Sequence, residues 1–374
     1  MSTGTITSGE GRAVKLSSSG DISFSGNMPL SDVSITISEG VGNGFNLIGN
    51  PFPSYMPANN TTPTVSNNIL SANSGILNQQ TIWFWDQSST RYVAINQASA
   101  LIEGNRFIAP GQGFFVESNE VGGSFTFAES MQSHQSTDVF AKQNINVPKI
   151  KLYISGNSTQ KETNILYLPY ATKGWDNGFD STLFDGVNTD FAIYTHLVNN
   201  SQGQNLEIQS LPDNNYESMV IPVGVNARNG SSITITADVS DLPVGIDVYL
   251  EDREQNTFIK LSETGANYTI SLSSDLQGIG RFYLHTTSKT LKINTQELDN
   301  VSVYMTNPNN LRITGINRGK VTLELYSIEG KQIQKNQFIA IGVNDISLSK
   351  ISTGIYIVKL QNEHGKLTKK IIKK

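Results

Sequence analysis

Few side chains in this sequence have the type and spacing that catalysis needs. The His residues stand far apart, and none lies two or four positions from another: His134, His196, His285 and His364. The chain contains no Cys, which excludes thiol catalysis, disulfide bonds and cysteine-bound zinc or iron–sulfur clusters. The sequence also lacks a G-x-S-x-G nucleophile motif and a P-loop. We therefore expect that the chain is not an enzyme.

Three Asp residues in one polar stretch are candidates for calcium binding. Asp176, Asp180 and Asp185 carry carboxylate oxygens, which are the ligands that calcium prefers. Their spacing differs from the alternating D-x-D-x-D-G pattern of a calcium loop. Asp also forms turns through hydrogen bonds to the backbone, and we favour that role here. Calcium at these three positions is the alternative, and we predict no other cofactor or metal.

Tryptophan provides a second candidate chemistry, because an exposed indole ring can stack on a sugar. Trp83 and Trp85 alternate onto one face of the stretch 81–86, with Phe84 on the other face, and Trp175 lies downstream. Aromatic residues at a spacing of two are more often buried in the core of a β-sandwich, and we favour that interpretation. Sugar stacking by these three indoles is the alternative. It would make the chain a carbohydrate-binding accessory region of a secreted enzyme.

The elements that must position these residues are β-strands. Apolar and polar residues alternate with a period of two in many short segments, separated by clusters of Gly, Asn, Asp and Ser. Clear examples are Val33–Ile37, Ile150–Ile154, Ile233–Ala237, Val321–Tyr326 and Gly354–Leu360. No long stretch carries an apolar stripe at helical spacing. The sequence predicts an all-β protein of tandem β-sandwich domains that ends in a small immunoglobulin-like β-sandwich.

Charge divides the chain into an acidic body and a basic end. Residues 289–374 hold 14 Lys or Arg against 6 acidic residues, a net charge of +8, whereas the remainder carries −13. We expect a β-sandwich module at residues 1–143, a second one at residues 144–288, and a basic domain at residues 289–374. The first module is expected to be truncated at its N-terminus, in a sequence that begins inside a larger protein. Solvated strand faces explain the lysines better than nucleic-acid binding, so we predict no nucleic-acid partner.

The most specific motifs lie near the end of the sequence. Gly354–Leu360 reads GIYIVKL, and after a short polar stretch residues 365–374 read GKLTKKIIKK. Upstream lie Asn307–Asn309 (NPN) and Val321–Gly330 (VTLELYSIEG). Alternation predicts one strand before the polar stretch and another after it, which pair as a hairpin. Gly354 supplies the backbone freedom that the chain needs before this hairpin.

Residues 301–374 resemble the type A C-terminal sorting domain of the type IX secretion system of Bacteroidetes. The motifs just described carry the resemblance, although Asn307–Asn309 stands where the family has Pro-Asn-Pro. Two further segments, Gly49–Ser54 (GNPFPS) and Ala109–Val116 (APGQGFFV), are similar to parts of modules that precede this domain in large Bacteroidetes surface proteins. The resemblance implies that the sorting signal is recognised through residues of the terminal hairpin: Gly354, Tyr356, Val358, Lys359, Lys369, Lys370, Lys373 and Lys374.

The resemblance also implies a route out of the cell and a set of partners. The last domain would direct passage across the outer membrane, through the type IX outer-membrane translocon and its shuttle barrel protein. A sortase-like protease would then cut between Thr286 and Asn300 and join the body to lipopolysaccharide, or the body would be released. We expect a protein that travels via the periplasm and is secreted or displayed on the cell surface, with adhesin-like upstream sandwiches that act as stalk or adhesion modules. No apolar run approaches the roughly 18 residues that span a bilayer, so we predict no transmembrane segment.

Two roles are open for the lysines at the end of the chain. Lysine on an edge strand blunts edge-to-edge aggregation, which is a structural role. Recognition by the secretion machinery is a functional role, and the two are compatible. The sequence leaves both open.

Overall fold

The computed structural model is that of an all-β protein. It describes residues 5–14, 18, 23, 25–40, 43–86, 91–134, 146–156, 159–184, 189–288, 301–362 and 365–373, with the side chains of 317, 318 and 365 left out. Strands make up 53% of the structure and helices only 5%, which confirms the predicted all-β class. Within these described ranges no helix has the length and apolar character needed to cross a membrane.

The chain divides into two compact units. The first unit comprises Met1–Val147 and Asp176–Val187, and the second comprises Pro148–Trp175 and Asn188–Lys374. The first unit therefore includes a later segment of the chain, and the expected modules at 1–143, 144–288 and 289–374 stay a prediction. The second unit contains two parts, which we call the middle domain (148–175 and 189–288) and the C-terminal domain (301–373).

The first unit is built from antiparallel strands and short helices. In chain order its elements are β1 (Val33–Ile37), β2 (Phe45–Gly49), β3 (Met56–Pro57), α1 (Ile69–Ala72), β4 (Leu77–Asp86), β5 (Arg91–Ile95), α2 (Gln97–Glu103), β6 (Phe107–Ile108), β7 (Gly113–Ser118), β8 (Gly123–Phe127) and a 3-10 turn at Glu129–Met131. Strands β2, β7, β4 and β5 form one sheet in that order, while β1 pairs with β8 and β3 pairs with β6. Both helices begin at an Asn whose Oδ1 accepts a backbone N–H: Asn68 from Ser71 at 2.9 Å, and Asn96 from Ser99 at 3.0 Å.

The middle domain is one long sheet that surrounds a single apolar core. The strands of this part of the chain are β9 (Lys149–Gly156), β10 (Thr159–Leu168), β11 (Ser181–Thr182, in the first unit), β12 (Ala192–Thr195), β13 (Leu206–Pro212), β14 (Val220–Asn226), β15 (Ser232–Ser240), β16 (Asp247–Asp252), β17 (Thr257–Lys260), β18 (Tyr268–Ser271) and β19 (Phe282–Thr287), with a 3-10 turn at Tyr216–Ser218. The ten strands other than β11 follow the order β17-β16-β19-β14-β12-β13-β10-β9-β15-β18. Leu152 of β9, Val223 of β14 and Leu284 of β19 belong to the same buried cluster, so distant parts of the sheet share one core.

The C-terminal domain is a bent sheet built on one long hairpin. Its strands are β20 (Ser302–Asn307), β21 (Asn310–Ser327), β22 (Gln332–Ser347), β23 (Gly354–Asn362) and β24 (Gly365–Lys373). They follow the order β20-β21-β23-β24, with β22 also paired to β21. The long strands change register near Gly315 and Gly342, whose φ values are +88° and +72°.

The bend brings the two halves of the C-terminal sheet onto a common core. Leu311 and Ile313 lie before the bend of β21, and Leu323 lies after it. These three side chains share one buried cluster with Val358 and Leu360 of β23. The immunoglobulin-like arrangement of this domain stays a prediction.

Candidate functional site

Apart from Lys374, which lies outside the described residues, the residues predicted to form the sorting signal lie on the hairpin of β23 and β24. The strands pair antiparallel along their whole length, from Gly354 opposite Lys373 to Asn362 opposite Gly365. On its other side β23 pairs with the second half of β21. Because side chains of a strand alternate between the two faces, the pairing divides the motif residues into an inward set and an outward set.

The inward face of β23 provides the apolar anchor of the hairpin. Tyr356 is 8% exposed, and Val358 and Leu360 are each 1% exposed. The hydroxyl of Tyr356 donates a hydrogen bond to the carbonyl oxygen of Ser352 at 2.8 Å, which ties the strand to the turn before it. The Tyr and Val of the Gly-x-Tyr-x-Val-Lys motif therefore hold the hairpin in place, and their rings and methyl groups are hidden from a partner.

Gly354 stands where the chain enters β23 with an unusual backbone angle. Its φ is +158°, a value that residues with a side chain rarely adopt. A Cβ at this position would lie 3.5 Å from the ring of Tyr356, an ordinary contact distance. The glycine of the motif is thus required by the backbone conformation and not by lack of space.

The lysines of β24 divide between the two faces of the strand. Lys369 and Lys373 have the same parity as Ile371, which is 5% exposed and belongs to the core. Lys373 is also only 5% exposed, and burial lowers the pKa of Lys369 below its ordinary value of 10.5. Lys370 points the other way and is exposed. Lys374 lies outside the described residues.

The turn between β20 and β21 lies beside the end of β24. It contains the Asn307–Asn309 motif, in which the backbone N–H of Asn309 donates to Oδ1 of Asn307 at 2.9 Å. Nζ of Lys373 donates to Oδ1 of Asn309 at 3.2 Å. The first and last motifs of the domain, more than 60 positions apart in sequence, therefore meet through one hydrogen bond.

The opposite side of the hairpin carries exposed basic and aliphatic side chains. We call it the outward face, and its residues are Ile355, Lys359, Lys366, Lys370 and Ile372. Ile355 and Ile372 face each other across the two strands and are 40% and 57% exposed. Lys370 lies next but one to Ile372 along β24, so one lysine directly flanks this aliphatic pair.

Lys359 is held in place by groups on β21. Its Nζ lies 4.8 Å from the centre of the Tyr326 ring, within the range of a cation–π interaction. The hydroxyl of Tyr326 donates to Glu324 at 2.9 Å, and Lys335 forms an ion pair with the same carboxylate at 2.8 Å. The hydrogen bond from Lys335 lowers the pKa of Glu324. The ammonium group of Lys359 therefore lies beside the network formed by Tyr326, Glu324 and Lys335.

The three tryptophans occupy very different environments. Trp83 is 0% exposed and packs against Phe184, with 5.8 Å between ring centres. A buried indole offers no face to a sugar, so stacking by Trp83 is wrong. Trp85 is 48% exposed and its ring lies 5.2 Å from that of Tyr92, while Trp175 is half-buried. Of the three candidates, Trp85 presents the most open ring.

The Asp cluster forms a turn. Oδ2 of Asp180 accepts the backbone N–H of Asp176 at 2.7 Å, and the N–H groups of Phe179 and Asp180 donate back to the carbonyl oxygen of Asp176. Asp180 is 0% exposed. Asp185 lies outside the described residues, so calcium at the three positions stays a prediction. Among the residues that the structure describes, no group of three potential metal ligands is found.

Comparison with known protein families gives two matches, one on each part of the chain. Residues 12–285 match the family described as "Domain of unknown function (DUF8693)". Residues 287–374 match the family described as "Secretion system C-terminal sorting domain". No curated protein and no solved structure matches the chain.

Proposed function

Because the chain belongs to the family described as "Domain of unknown function (DUF8693)" and ends in a type IX C-terminal sorting domain, we propose that the secretion machinery reads the outward face of β23 and β24. The sorting domain implies interaction with the type IX machinery and export to the cell surface or the medium. The proposal adds the surface through which this interaction takes place. The type IX outer-membrane translocon and its shuttle barrel protein are the partners that we propose for it.

One observation carries this assignment: the outward face leaves aliphatic side chains in water beside lysines. Ile355 and Ile372 are adjacent, branched and exposed, an arrangement that contributes nothing to the core. Lys370 adds positive charge beside them, and Lys359 adds it further along the same face. A partner with an apolar contact point and an acidic rim would match this pattern. The inward residues Tyr356 and Val358 act indirectly, because they fix the strand that displays the outward face.

We also propose that the chain is cut between the body and the C-terminal domain after export. The cut is proposed within the stretch from Thr286 to Asn300, of which Thr286 and Thr287 still belong to β19 and residues 289–300 lie outside the described residues. A cut by a sortase-like protease after Ser288 would leave β19 and β20 whole. The body would then be joined to lipopolysaccharide or released.

The upstream part is proposed to serve as a non-catalytic stalk or adhesion region. Its many amide and hydroxyl side chains bond to one another in the interior, which is a structural use of polar residues. Nε2 of Gln97 donates to Oδ1 of Asn68 at 3.0 Å and to Oγ of Ser71 at 3.1 Å. Nδ2 of Asn59 donates to the carbonyl oxygen of Asn96 at 2.7 Å. Such networks explain why a chain rich in Asn, Gln and Ser forms a fixed fold.

A secretion assay tests the proposal. Residues 289–374 are placed behind a signal peptide and a fluorescent protein and expressed in a Bacteroidetes host with or without an intact type IX translocon. We expect the reporter on the surface or in the medium only when the translocon is intact. A folded reporter that stays in the periplasm of the intact host would contradict a self-sufficient sorting signal.

Exposure of Trp85 favours a second candidate function, sugar binding by the first unit. The indole and the ring of Tyr92 form a T-shaped pair at 5.2 Å, which leaves part of the Trp85 ring open to a ligand. The test is a glycan-binding measurement on the full chain and on Trp85→Ala, with Trp83→Phe as the control for a buried indole. Binding that Trp85→Ala removes and Trp83→Phe retains would support this function, and equal binding by both variants would contradict it.

A further inference from the structure

The C-terminal domain makes side-chain contacts with the middle domain through Tyr304 of β20. The ring of Tyr304 lies against Gly203, where a Cβ atom would come within 3.0 Å of it. Its centre is 6.1 Å from the ring of His196, which is itself stacked on Tyr194 at 5.8 Å. Tyr304 is only 9% exposed. A row of three rings thus continues from the middle domain into the C-terminal domain.

Two glycines allow the backbones of the two domains to touch. A Cβ on Gly280 of the middle domain would lie 2.8 Å from Val343 and 3.2 Å from the carbonyl carbon of Gly342, both at the bend of β22. Gly280 has a φ of +121° and Gly342 has a φ of +72°. A side chain at Gly280 would therefore be both strained and in collision with the other domain.

A buried arginine links the same two surfaces. The side chain of Arg253 in the middle domain is 3% exposed, and its Nη1 donates to the carbonyl oxygen of Gly315 at the bend of β21, at 2.5 Å. Its Nε lies 3.0 Å from Oε1 of Glu251, and its guanidinium lies 3.4 Å above the centre of the Tyr283 ring. The guanidinium is paired and stacked within the middle domain and hydrogen-bonded across the boundary, a combination typical of an interface anchor.

From these contacts we propose that the middle domain is a docking partner of the C-terminal domain, and that the two stay bound to each other after the polar stretch between them is cut. The contacts come from β20 and from the bends of β21 and β22. The outward face of β23 and β24 is exposed while this docking is in place. Docking thus leaves the proposed recognition surface open, and cleavage alone does not detach the C-terminal domain. This inference goes beyond the proposed function and does not rest on it.

The experiment uses the full chain with a site for a specific protease inserted between residues 291 and 298. After complete cutting, the two fragments are applied to a size-exclusion column at micromolar concentration. We expect one peak that contains both fragments and elutes with the uncut chain. Fragments that elute separately would overturn the proposal, whether or not the smaller fragment keeps its β-sheet circular dichroism spectrum.

A pair of glutamate variants tests whether the assigned surface is responsible. Val343→Glu places a charge against Gly280, whereas Ile339→Glu places the same charge on an exposed position of the same strand, since Ile339 is 57% exposed. We expect Val343→Glu to weaken the association of the cut fragments by at least about tenfold and Ile339→Glu to leave it unchanged. Both uncut variants should keep the circular dichroism spectrum of the wild type. Equal association of the two variants would contradict this surface.

Discussion

Strands β9 and β24 follow the same alternation but use it differently. β9 lies between β10 and β15, and its inward residues Ile150, Leu152 and Ile154 are all 0% exposed. β24 is the last strand of its sheet, and two of its inward positions are lysines. The sequence of β9 is what packing alone would select. In β24, lysines stand at inward positions where apolar side chains would pack better. We infer that a requirement other than folding stability selects them.

The largest expected difference between the two strands is in how far truncation of an inward side chain lowers the free energy of unfolding. Leu152→Ala in β9 should lower the free energy of unfolding of the middle domain by about 2–5 kcal/mol, because it leaves a cavity in a closed core. Ile371→Ala in β24 should cost the C-terminal domain no more than about 2 kcal/mol, since an edge strand can move into the space. Urea denaturation followed by circular dichroism measures both.

The control for this comparison is Lys151→Ala on the outward face of β9. Lys151 forms a partly exposed ion pair with Glu162 at 3.5 Å, and its removal should change the free energy of unfolding by less than about 1 kcal/mol. Equal losses for Leu152→Ala and Ile371→Ala would show that the two strands do not differ in the way described.

The second prediction concerns His196, a buried histidine of the middle domain. Burial lowers the pKa of His196 from 6.5 to about 4, while its ring contacts Tyr194, Tyr304, Asn205 and Ser201. Above pH 6.5 both folded and unfolded states are neutral at this residue. Between pH 6.5 and about 4 the unfolded state binds a proton that the folded state does not, so stability falls as pH falls.

The contribution of His196 to the pH dependence of stability is measured by comparing the wild type with His196→Gln. The wild type should lose roughly 3 kcal/mol more than His196→Gln between pH 7 and pH 4, because each pKa unit corresponds to about 1.4 kcal/mol. Thermal unfolding at a series of pH values measures this difference and removes the contribution of carboxylates common to both chains. Parallel pH profiles for the two chains would contradict a neutral, buried His196.

The third prediction separates stability from function at an inward lysine. Lys373→Met removes a nearly buried amine that donates a hydrogen bond to the neutral side chain of the exposed Asn309. The free energy of unfolding of the C-terminal domain should stay the same or rise by about 1 kcal/mol, because an amine no longer has to be taken out of water. Lys370→Met on the outward face is the matched control and should change it by less than about 0.5 kcal/mol. A loss of several kcal/mol in Lys373→Met would show that the amine is a structural anchor.

The smallest expected effect is a rise in stability at alkaline pH. Burial lowers the pKa of Lys369, so between that lowered value and the ordinary value of 10.5 the unfolded state holds more protons than the folded state. Stability therefore increases as pH rises through this window. The effect should be present in the wild type and absent in Lys369→Met, as measured by the midpoint of urea unfolding. A flat difference between the two chains would contradict inward burial of this lysine.

Much of this could be read from the sequence because alternation is a local property. The alternation in residues 354–360 and 365–374 predicted the hairpin of β23 and β24, and Gly354 was predicted to supply backbone freedom before it. The spacing did not show that Lys369 and Lys373 point inward, since Ile371 and Ile372 place an apolar residue on each face of β24. What the alternation did not reveal is which of two faces is buried when both carry apolar residues, as at Trp83 and Phe84, because that depends on what covers each face.

The features that the sequence did not reveal are all tertiary. Phe184 belongs to the first unit, where its ring lies 4.4 Å from that of Tyr92, although the chain between them passes through the middle domain. The contact of Gly280 with Gly342 joins surfaces from two domains, and each glycine alone is typical of a turn. A local sequence pattern cannot predict such contacts, because they join residues that are distant in sequence and meet only in the folded protein.

The most direct test of the account is the export of two full-length charge variants from a host with an intact type IX translocon. Lys370→Glu changes the outward face, and Lys331→Glu makes the same change at an exposed turn of the same domain. Thermal unfolding is the control, and both variants should be as stable as the wild type. We predict that Lys370→Glu lowers the secreted fraction by at least about tenfold and that Lys331→Glu is exported normally. Export of Lys370→Glu at the level of Lys331→Glu would contradict the claim that the outward face is read.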